Sequence, residues 1–330
     1  MLRRVVFASH THTSMLAAGW DSHGELLVER TVKDLSTTPI DLLHYAQGQM
    51  DHRIRPVYVH ASDIFWRTLN HSGTWEGHTL FEFQRRIHER TTYVGFGTWI
   101  GPTMLFAAQL ALRAFGVEAD PVAFATVRAN VAANRERGLA WARSIRIQPA
   151  CVATNEHAGS QRMTSAKAGN SCSGLNASTR MCPGGARKLH WMVNCYTLPA
   201  LFEAWGVRPD RDTFIKVDVE GYECQLLPEL ARWLSPLPSK PTLHFALHAQ
   251  LRTCEADQYR AIFELARAYR FAYCTAGRHA RQPWPTEGSS SSASRPPRPW
   301  CPSGEVVFSD VPPASAVDEA FAKKGRPTGG

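Results

Sequence analysis

The sequence lacks several patterns that would assign the chain to a specialised class. Its 330 residues include no run of five consecutive Lys or Arg residues, although the formal net charge is +8. No apolar run approaches the roughly 20 residues that a membrane-spanning helix needs. The eight cysteines form no CxxC pair and no Cys–His group with zinc-ligand spacing. We therefore expect no nucleic-acid partner, no transmembrane segment and no metal site, and we predict free thiols in a reducing, cytoplasmic compartment.

The two ends of the chain differ in composition from its middle. The first 20 residues are basic and have no acid before Asp21, so a cleaved organellar presequence is an alternative to a plain N-terminal extension. We predict an extension or lid, partly helical, over residues 1–58, and one α/β domain over residues 59–312. A Pro/Ser-rich segment, 281–304, predicts a flexible loop in that domain, and residues 313–330 predict a disordered tail.

Strand-like and helix-like segments alternate along the predicted domain. Apolar residues at helical spacing predict helices, and short apolar runs predict strands. Such alternation is typical of a mainly parallel sheet with helices on both faces. Residues 154–188, rich in Ser, Gly and Asn, predict an extended polar segment with one short strand. The aromatic residues Phe65, Trp66 and Trp75 are candidates for a pocket mouth, with core packing as the alternative.

A glycine-rich turn followed by a carboxylate is the clearest candidate for a ligand site. The apolar residues Tyr93 and Val94 lead into the sequence GFGTWIGP, and a second apolar run ends at Glu118. Glycines let a ligand approach backbone N–H groups, and a carboxylate at the next strand end can accept hydrogen bonds from ribose hydroxyls. The pattern predicts a nucleoside site; the alternative is a structural crossover with a solvated Glu118.

Carboxylates also follow the strand FIKV. Alternation along FIKVDVE places Asp218 and Glu220 on one side of the strand end. Together they could hold an ammonium group, accept a proton or bind a divalent cation, unless they cap the following helix. His248 is a further candidate base, with a buried core histidine as the alternative.

Three motifs resemble the FkbM-type methyltransferases, which use S-adenosylmethionine. They are GTWIGPT, VEADPVAF with Asn130 and Asn134, and IKVDVEGYE, and the resemblance covers roughly residues 60–310. It implies a seven-stranded sheet of the class I methyltransferase type and methyl transfer, most simply to a hydroxyl group of a small molecule, glycan or lipid.

The resemblance also implies roles for individual residues. Gly97 and Gly101 would lie under the methionine part of the cofactor and Glu118 on its ribose, with Asp120 and Cys151 near the adenine. The implied cofactor-binding residues are Gly95, Gly97, Thr98, Trp99, Gly101, Glu118, Ala119, Asp120, Cys151 and Asp218. The acceptor's base would be Asp218, Glu220 or His248.

The chain departs from the family at two positions of the glycine turn. Gly95 stands where the family often has an Asp, and Trp99 where it often has an Asn. Losing the acid removes a partner for the cofactor's amino group, which Asp218 would have to replace. Two other functions remain open: a nicotinamide-dependent dehydrogenase, because the glycine spacing and Glu118 also suit a dinucleotide, and an inactive binding module that keeps the fold.

Overall fold

The structure is a computed structural model. It describes residues 3–4, 19–20, 37–40, 53–60, 65–66, 75–165, 169, 174–175, 189–246, 254–275 and 304–311. His248, most of the predicted extension, nearly all of the 281–304 loop and the 313–330 tail lie outside the described residues. The predictions made for them stay predictions.

The described part of the chain alternates between strands and helices, as the sequence predicts. The strands are β1 (Arg3–Arg4), β2 (Gly19–Trp20), β3 (Thr37–Ile40), β4 (Val57–His60), β5 (Thr92–Phe96), β6 (Arg113–Glu118), β7 (Ile145–Pro149), β8 (Cys151–Val152), β9 (Gly159–Ser165), β10 (Gly174–Leu175), β11 (Leu189–Tyr196), β12 (Thr213–Val217), β13 (Thr242–Ala246), β14 (Phe271–Cys274) and β15 (Glu305–Ser309). The α-helices are α1 (Gly77–Arg86), α2 (Pro102–Leu110), α3 (Pro121–Glu136), α4 (Leu198–Ala204), α5 (Glu223–Leu234) and α6 (Ala256–Ala268).

The main sheet has seven strands in the order β14-β15-β13-β12-β5-β6-β7. The neighbours from β13 to β7 pair in parallel, and β15 pairs antiparallel with both β13 and β14. This is the strand order of class I methyltransferases, so the predicted fold class is confirmed. From β5 the chain builds outward through β6 and β7, then returns to add β12 on the other side of β5. The β5–β12 edge is therefore the topological switch point, where open α/β sheets bind ligands.

Helices cover both faces of this sheet, as predicted. The buried apolar side chains form two clusters, one on each face of the sheet. Neighbouring residues of β5 contribute to different clusters, Tyr93 to the first and Val94 to the second. The first cluster contains side chains of α1, α2 and α3, and the second contains side chains of α4, α5 and α6. Apolar side chains on alternate sides of a buried strand therefore have helix partners on both faces.

A second, four-stranded sheet in the order β10-β9-β11-β8 adjoins the main one. Residues 154–188, predicted to contain one short strand, contribute β9 and β10. The predicted strand WMVNCYTL is β11, which pairs antiparallel with β9 and parallel with β8. It therefore belongs to the second sheet. The strand at one edge of the main sheet is β14, which was not predicted from the sequence.

The hairpin of β3 and β4 is joined to the rest of the fold by two asparagines of α3. The side chain of Asn134 accepts a hydrogen bond from Tyr58 N at 2.9 Å and donates one to Tyr58 O at 2.7 Å. Asn130 accepts from His60 N at 2.9 Å and donates to Ile100 O at 3.0 Å. Both amides thus bond backbone groups on the edge of β4, and Asn130 connects that strand to the glycine turn.

The predicted free thiols are wrong for five cysteines. Cys151 is bonded to Cys195 and Cys224 to Cys254, and Cys274 is also disulfide-bonded. The prediction failed because the partners are far apart in sequence and meet only when strands and helices pack. Cys151 and Cys195 are paired neighbours on β8 and β11.

No helix within the described residues is both long and apolar enough to cross a bilayer.

Candidate functional site

A cavity of about 350 Å³ opens at the carboxyl ends of β5, β6 and β12, beside the switch point. Pockets of this size and place are typical of small-molecule sites in α/β folds. Its lining combines aromatic, apolar and charged side chains: Phe65, Trp75, Glu76, Gly97, Thr98, Trp99, Pro102, Thr103, Val117, Glu118, Ala119, Ala150, Cys151, Val152, Met163, Leu175, Lys216, Asp218, Val219, Glu220 and Tyr222.

The glycine turn after β5 forms the floor of this cavity. Gly97 has a φ of +81°, and a Cβ there would lie 1.8 Å from the backbone oxygen of Asp218. Gly101 has a φ of +101° and is the N-cap residue of α2, and a Cβ on it would come within 2.6 Å of Val127 Cγ2. The first glycine lets the ends of β5 and β12 meet, and the second lets α3 pack against the start of α2.

Trp99 occupies a left-handed conformation, with φ of +47°, which Asn tolerates better than Trp. The conformation aims its backbone N–H at Glu118 Oε2, 2.6 Å away. The indole Nε1 donates to Gly169 O at 3.0 Å, and the ring packs edge-on against Phe65 with centroids 4.6 Å apart. These contacts offset the backbone strain, which explains how Trp is accommodated in this conformation.

Glu118 is 8% exposed and connects two turns at the rim of the cavity. Besides Trp99 N, its carboxylate accepts a hydrogen bond from Asp120 N at 2.8 Å. Burial raises the pKa of Glu118 to about 7, against the lowering effect of these backbone hydrogen bonds. Each carboxylate oxygen has a second lone pair, so the group can still accept a ligand's hydroxyls.

One wall of the cavity is apolar and comes from the junction of the two sheets. Ala150, Cys151 and Val152 follow β7, and Met163 and Leu175 lie on β9 and β10. The disulfide to β11 holds Cys151 in this wall. A flat aromatic group fits such a surface.

Asp120 lies outside this lining. Its Oδ1 caps α3 by accepting from Val122 N at 2.8 Å and Ala123 N at 3.1 Å, and its Oδ2 accepts from Gly169 N at 2.9 Å. The side chain is fully buried. Its contacts are those of a helix N-cap.

The opposite end of the cavity is charged. Lys216, 2% exposed, contacts Asp218 Oδ2 closely, and its Nζ lies 3.7 Å from Glu76 Oε2. Burial alone lowers the pKa of Lys216, but the carboxylates of Asp218 and Glu76 outweigh it and raise the pKa, so the amine is charged. Sequence reasoning missed Glu76 and Lys216, although Lys216 lies within the IKVDVEG motif.

The loop after β12 is held by a residue other than the two predicted carboxylates. Glu223, 2% exposed in the first turn of α5, accepts from Val219 N at 3.1 Å and from Gly221 N at 2.7 Å. Glu223 thus fixes the loop that precedes α5, whereas Tyr222, the N-cap residue of the helix, makes no side-chain capping hydrogen bond. Glu220, with φ of +48°, lines the cavity beside Asp218. Across the described ranges, no three acidic, His or Cys side chains group as a metal site.

A tyrosine–histidine pair lies at the rim of the cavity. Tyr222, which lines it, has its hydroxyl 2.6 Å from His157 Nδ1 and 3.1 Å from Thr154 Oγ1. Thr154 Oγ1 is also 3.2 Å from the same imidazole nitrogen. A hydroxyl in contact with an imidazole can relay a proton. Nothing in the sequence connects these residues, because they meet only where the second sheet reaches α5.

The cavity brings together eight of the predicted site residues and leaves three outside its lining. Those inside are Gly97, Thr98, Trp99, Glu118, Ala119, Cys151, Asp218 and Glu220, and those outside are Gly95, Gly101 and Asp120. Of the aromatic candidates, Phe65 and Trp75 line the cavity, whereas Trp66 is a core residue with 1% exposure.

No protein-family model and no curated protein matches the sequence. Among solved structures, the chain is similar to a precorrin-6y C5,15-methyltransferase from Geobacter metallireducens, with 14% identity over 59% of this chain and 71% of that one, at a TM-score of 0.31. It is similar to the methyltransferase FkbM from Methylobacillus flagellatus, with 15% identity over 63% of this chain and 47% of that one, at a TM-score of 0.29.

A third similar structure is the fibrillarin of Aeropyrum pernix, solved with natively bound S-adenosyl-L-methionine. It shares 12% identity over 81% of this chain and 90% of the fibrillarin, at a TM-score of 0.30. Superpositions this loose are too weak to assign a family or an activity. The fold of this chain rests instead on the strand order of its own seven-stranded sheet.

Proposed function

We propose that the chain is an S-adenosylmethionine-dependent methyltransferase. The observation that carries the proposal is the cavity at the switch point, where the glycine turn and the buried carboxylate of Glu118 meet an apolar wall. We further propose residues 59–312 as the methyltransferase domain and residues 1–58 as its extension or lid. The FkbM-like motifs support the proposal, since GTWIGPT and IKVDVEGYE supply the turn and the charged end of this cavity.

The residues present fit each part of such a cofactor. Glu118 can accept hydrogen bonds from the ribose hydroxyls, and the wall around Cys151 can pack against adenine. Gly97 leaves room for close approach of the methionine part. Lys216 and the carboxylates near it offer charges of both signs to an amino-acid group that is itself zwitterionic.

The cofactor, when bound, supplies an activated methyl group on a sulfonium sulfur. The protein then needs to exclude water, orient the acceptor and remove its proton. We propose a hydroxyl acceptor on a small molecule, glycan or lipid, with Glu220 or Asp218 as the base. The close contact between Asp218 and Lys216 stabilises the Asp218 carboxylate and weakens it as a base, which favours Glu220 or the Tyr222–His157 pair.

Calorimetry with S-adenosylmethionine and with NAD tests the cofactor. We expect micromolar binding of the first and none of the second, and loss of binding in Glu118→Ala. The control is Glu203→Ala, an exposed glutamate of α4, which should bind as the wild type does. Binding of NAD alone would establish the dehydrogenase alternative, and binding of neither would favour the inactive module.

A methyl-transfer assay over a panel of hydroxyl compounds tests the base. With an acceptor in hand, Glu220→Gln should lower kcat by about 100-fold or more while cofactor affinity stays within about twofold. Asp218→Ala with unchanged cofactor binding and unchanged turnover would remove Asp218 from the mechanism.

A further inference from the structure

We propose that Glu76 binds the α-ammonium group of S-adenosylmethionine, replacing the strand acid that the chain lacks at Gly95. The inference rests on the proposed cofactor and adds a residue outside every motif noted in the sequence. It assigns the cationic end of the ligand to the segment that immediately precedes α1.

The space beside Gly95 is already occupied. A Cβ on Gly95 would lie 3.2 Å from both the Cε1 and the hydroxyl oxygen of Tyr93, and 3.5 Å from Thr98 Cγ2. Tyr93 is 1% exposed and packs in the cluster formed with α1, α2 and α3. The phenol thus fills the region that an acidic side chain at this strand position would enter, so the negative charge has to come from elsewhere.

Glu76 is positioned to supply that charge. It precedes α1 with a left-handed φ of +42°, and it lines the cavity together with Thr98 and Asp218. Its Oε2 is buried and has no hydrogen-bond partner among the described residues. Its distance to Lys216 Nζ is 3.7 Å, beyond hydrogen-bonding distance.

A second buried polar group in the cavity also lacks a partner. Thr98 is 2% exposed, and its Oγ1 makes no hydrogen bond within the described part of the chain. Buried polar atoms are nearly always satisfied, so two such oxygens lining one cavity indicate a polar ligand that donates hydrogen bonds. An ammonium group has three donors and no acceptor.

The local charge balance favours a cation at this end. Lys216 is in close contact with Asp218 and farther from Glu76, so two carboxylates share one amine. Burial raises the pKa of Glu76 to about 7, and the neighbouring carboxylates of Asp218 and Glu305 raise it as well. Lys216 opposes the rise. The Glu305 carboxylate adds a further negative charge near Glu76. A ligand ammonium would reduce this excess of negative charge, and Asp218, already in contact with Lys216, is the weaker candidate to bind it.

Two ligands that differ in the ammonium group test the proposal. S-adenosylhomocysteine carries the amino-acid part, and methylthioadenosine lacks it. We expect Glu76→Gln to weaken S-adenosylhomocysteine binding by about 10- to 100-fold in calorimetry and to leave methylthioadenosine binding within about twofold of wild type. Glu203→Gln, the same change on the exposed surface of α4, should alter neither affinity.

Each outcome has a distinct meaning. Equal weakening of both ligands, or of neither, by Glu76→Gln would overturn the assignment of Glu76 and leave the proposed cofactor intact. Failure of the wild type to bind either ligand would overturn the proposed function and this inference with it. Glu76→Asp keeps the negative charge on a shorter side chain and controls for a folding defect in Glu76→Gln. It should weaken the binding of S-adenosylhomocysteine alone, and by less than Glu76→Gln does.

Discussion

At the scale of single residues, Gly97 is a described position that does not tolerate a side chain. A Cβ there would overlap a backbone oxygen, and its φ is positive, so both packing and conformation oppose substitution. We expect Gly97→Ala to lower the free energy of unfolding by at least about 3 kcal/mol in urea titrations.

Gly138 provides the matched control for this prediction. Its φ is +74°, but a Cβ on it would meet nothing within 4 Å. Gly138→Ala should therefore cost only the left-handed strain, about 1 kcal/mol. Equal costs for the two variants would show that contact with Asp218 is not what requires glycine at position 97.

The buried carboxyl group of Glu118 makes stability depend on pH. Its folded pKa of about 7 lies above the ordinary 4.5, so the folded state binds more protons between these values and stability falls as pH rises through them. Between about pH 5.5 and about pH 8, we expect this group to cost about 2 kcal/mol.

Glu118→Gln isolates that contribution. The variant keeps the shape of the side chain without the titration, so its stability should fall less than that of the wild type over the same pH interval. Denaturant unfolding at the two pH values measures the difference. Parallel pH profiles for the two proteins would mean that Glu118 titrates normally when folded.

Sequence reasoning found the residues that belong to local motifs and missed those that only packing brings together. Gly97 and Glu118 are recognisable because a turn and a strand end each have a characteristic residue type. Glu76 lies before a helix in an unremarkable segment, and only the register of β12 beside β5 brings Lys216 near it. The space taken by Tyr93 could be seen only in three dimensions.

At the scale of elements, two asparagines of α3 form hydrogen bonds to the backbone of β4 that a neighbouring strand would otherwise form. Asn130→Ala would remove the amide that bonds both His60 N and Ile100 O. We expect a loss of about 2–4 kcal/mol in the free energy of unfolding. Because Ile100 belongs to the glycine turn, we also expect weaker cofactor binding by calorimetry.

Thr126→Ala on the same helix is the control for that change. Within the described residues, the Thr126 hydroxyl bonds only the helix's own carbonyl at Val122, so its removal should cost less than about 0.5 kcal/mol. Similar losses for Asn130→Ala and Thr126→Ala would contradict a special role for the amide.

The elements of the main sheet were mostly predictable, and those of the second sheet were not. Buried parallel strands are short apolar runs between amphipathic helices, a pattern that the sequence shows clearly. Strand β9 carries polar residues over most of its length, and β10 has only two residues, a glycine and a leucine, so neither shows the pattern of a buried strand. Strand β14 was not predicted because it has only four residues and begins just three positions after the last residue of the amphipathic helix α6.

At the scale of the whole molecule, the disulfide between Cys151 and Cys195 ties together strands of the second sheet beside the cavity. It closes a sequence separation of 44 residues. Cys195→Ala should lower the free energy of unfolding by about 2–4 kcal/mol under non-reducing conditions. Met192→Ala, an exposed position on the same strand, should have little effect.

Peptide mapping without reduction checks the bond itself. We expect a fragment that joins the Cys151 and Cys195 peptides. Free thiols at both positions would instead agree with the free thiols predicted from the sequence. Disulfides of this kind persist in oxidising compartments and are rare in reducing ones. A joined fragment would therefore favour an oxidising compartment over the cytoplasmic location expected from the sequence.

The hydrogen bond from Trp99 N to Glu118 makes one backbone amide a reporter of occupancy. The carboxylate that accepts this proton is also the group proposed to receive the ribose hydroxyls, so ligand binding and ordering of the turn are linked. A bound ligand should suppress local opening, and the Trp99 amide should exchange with deuterium more slowly as the ligand concentration rises. The rate at that single position would then measure an affinity without any knowledge of the methyl acceptor.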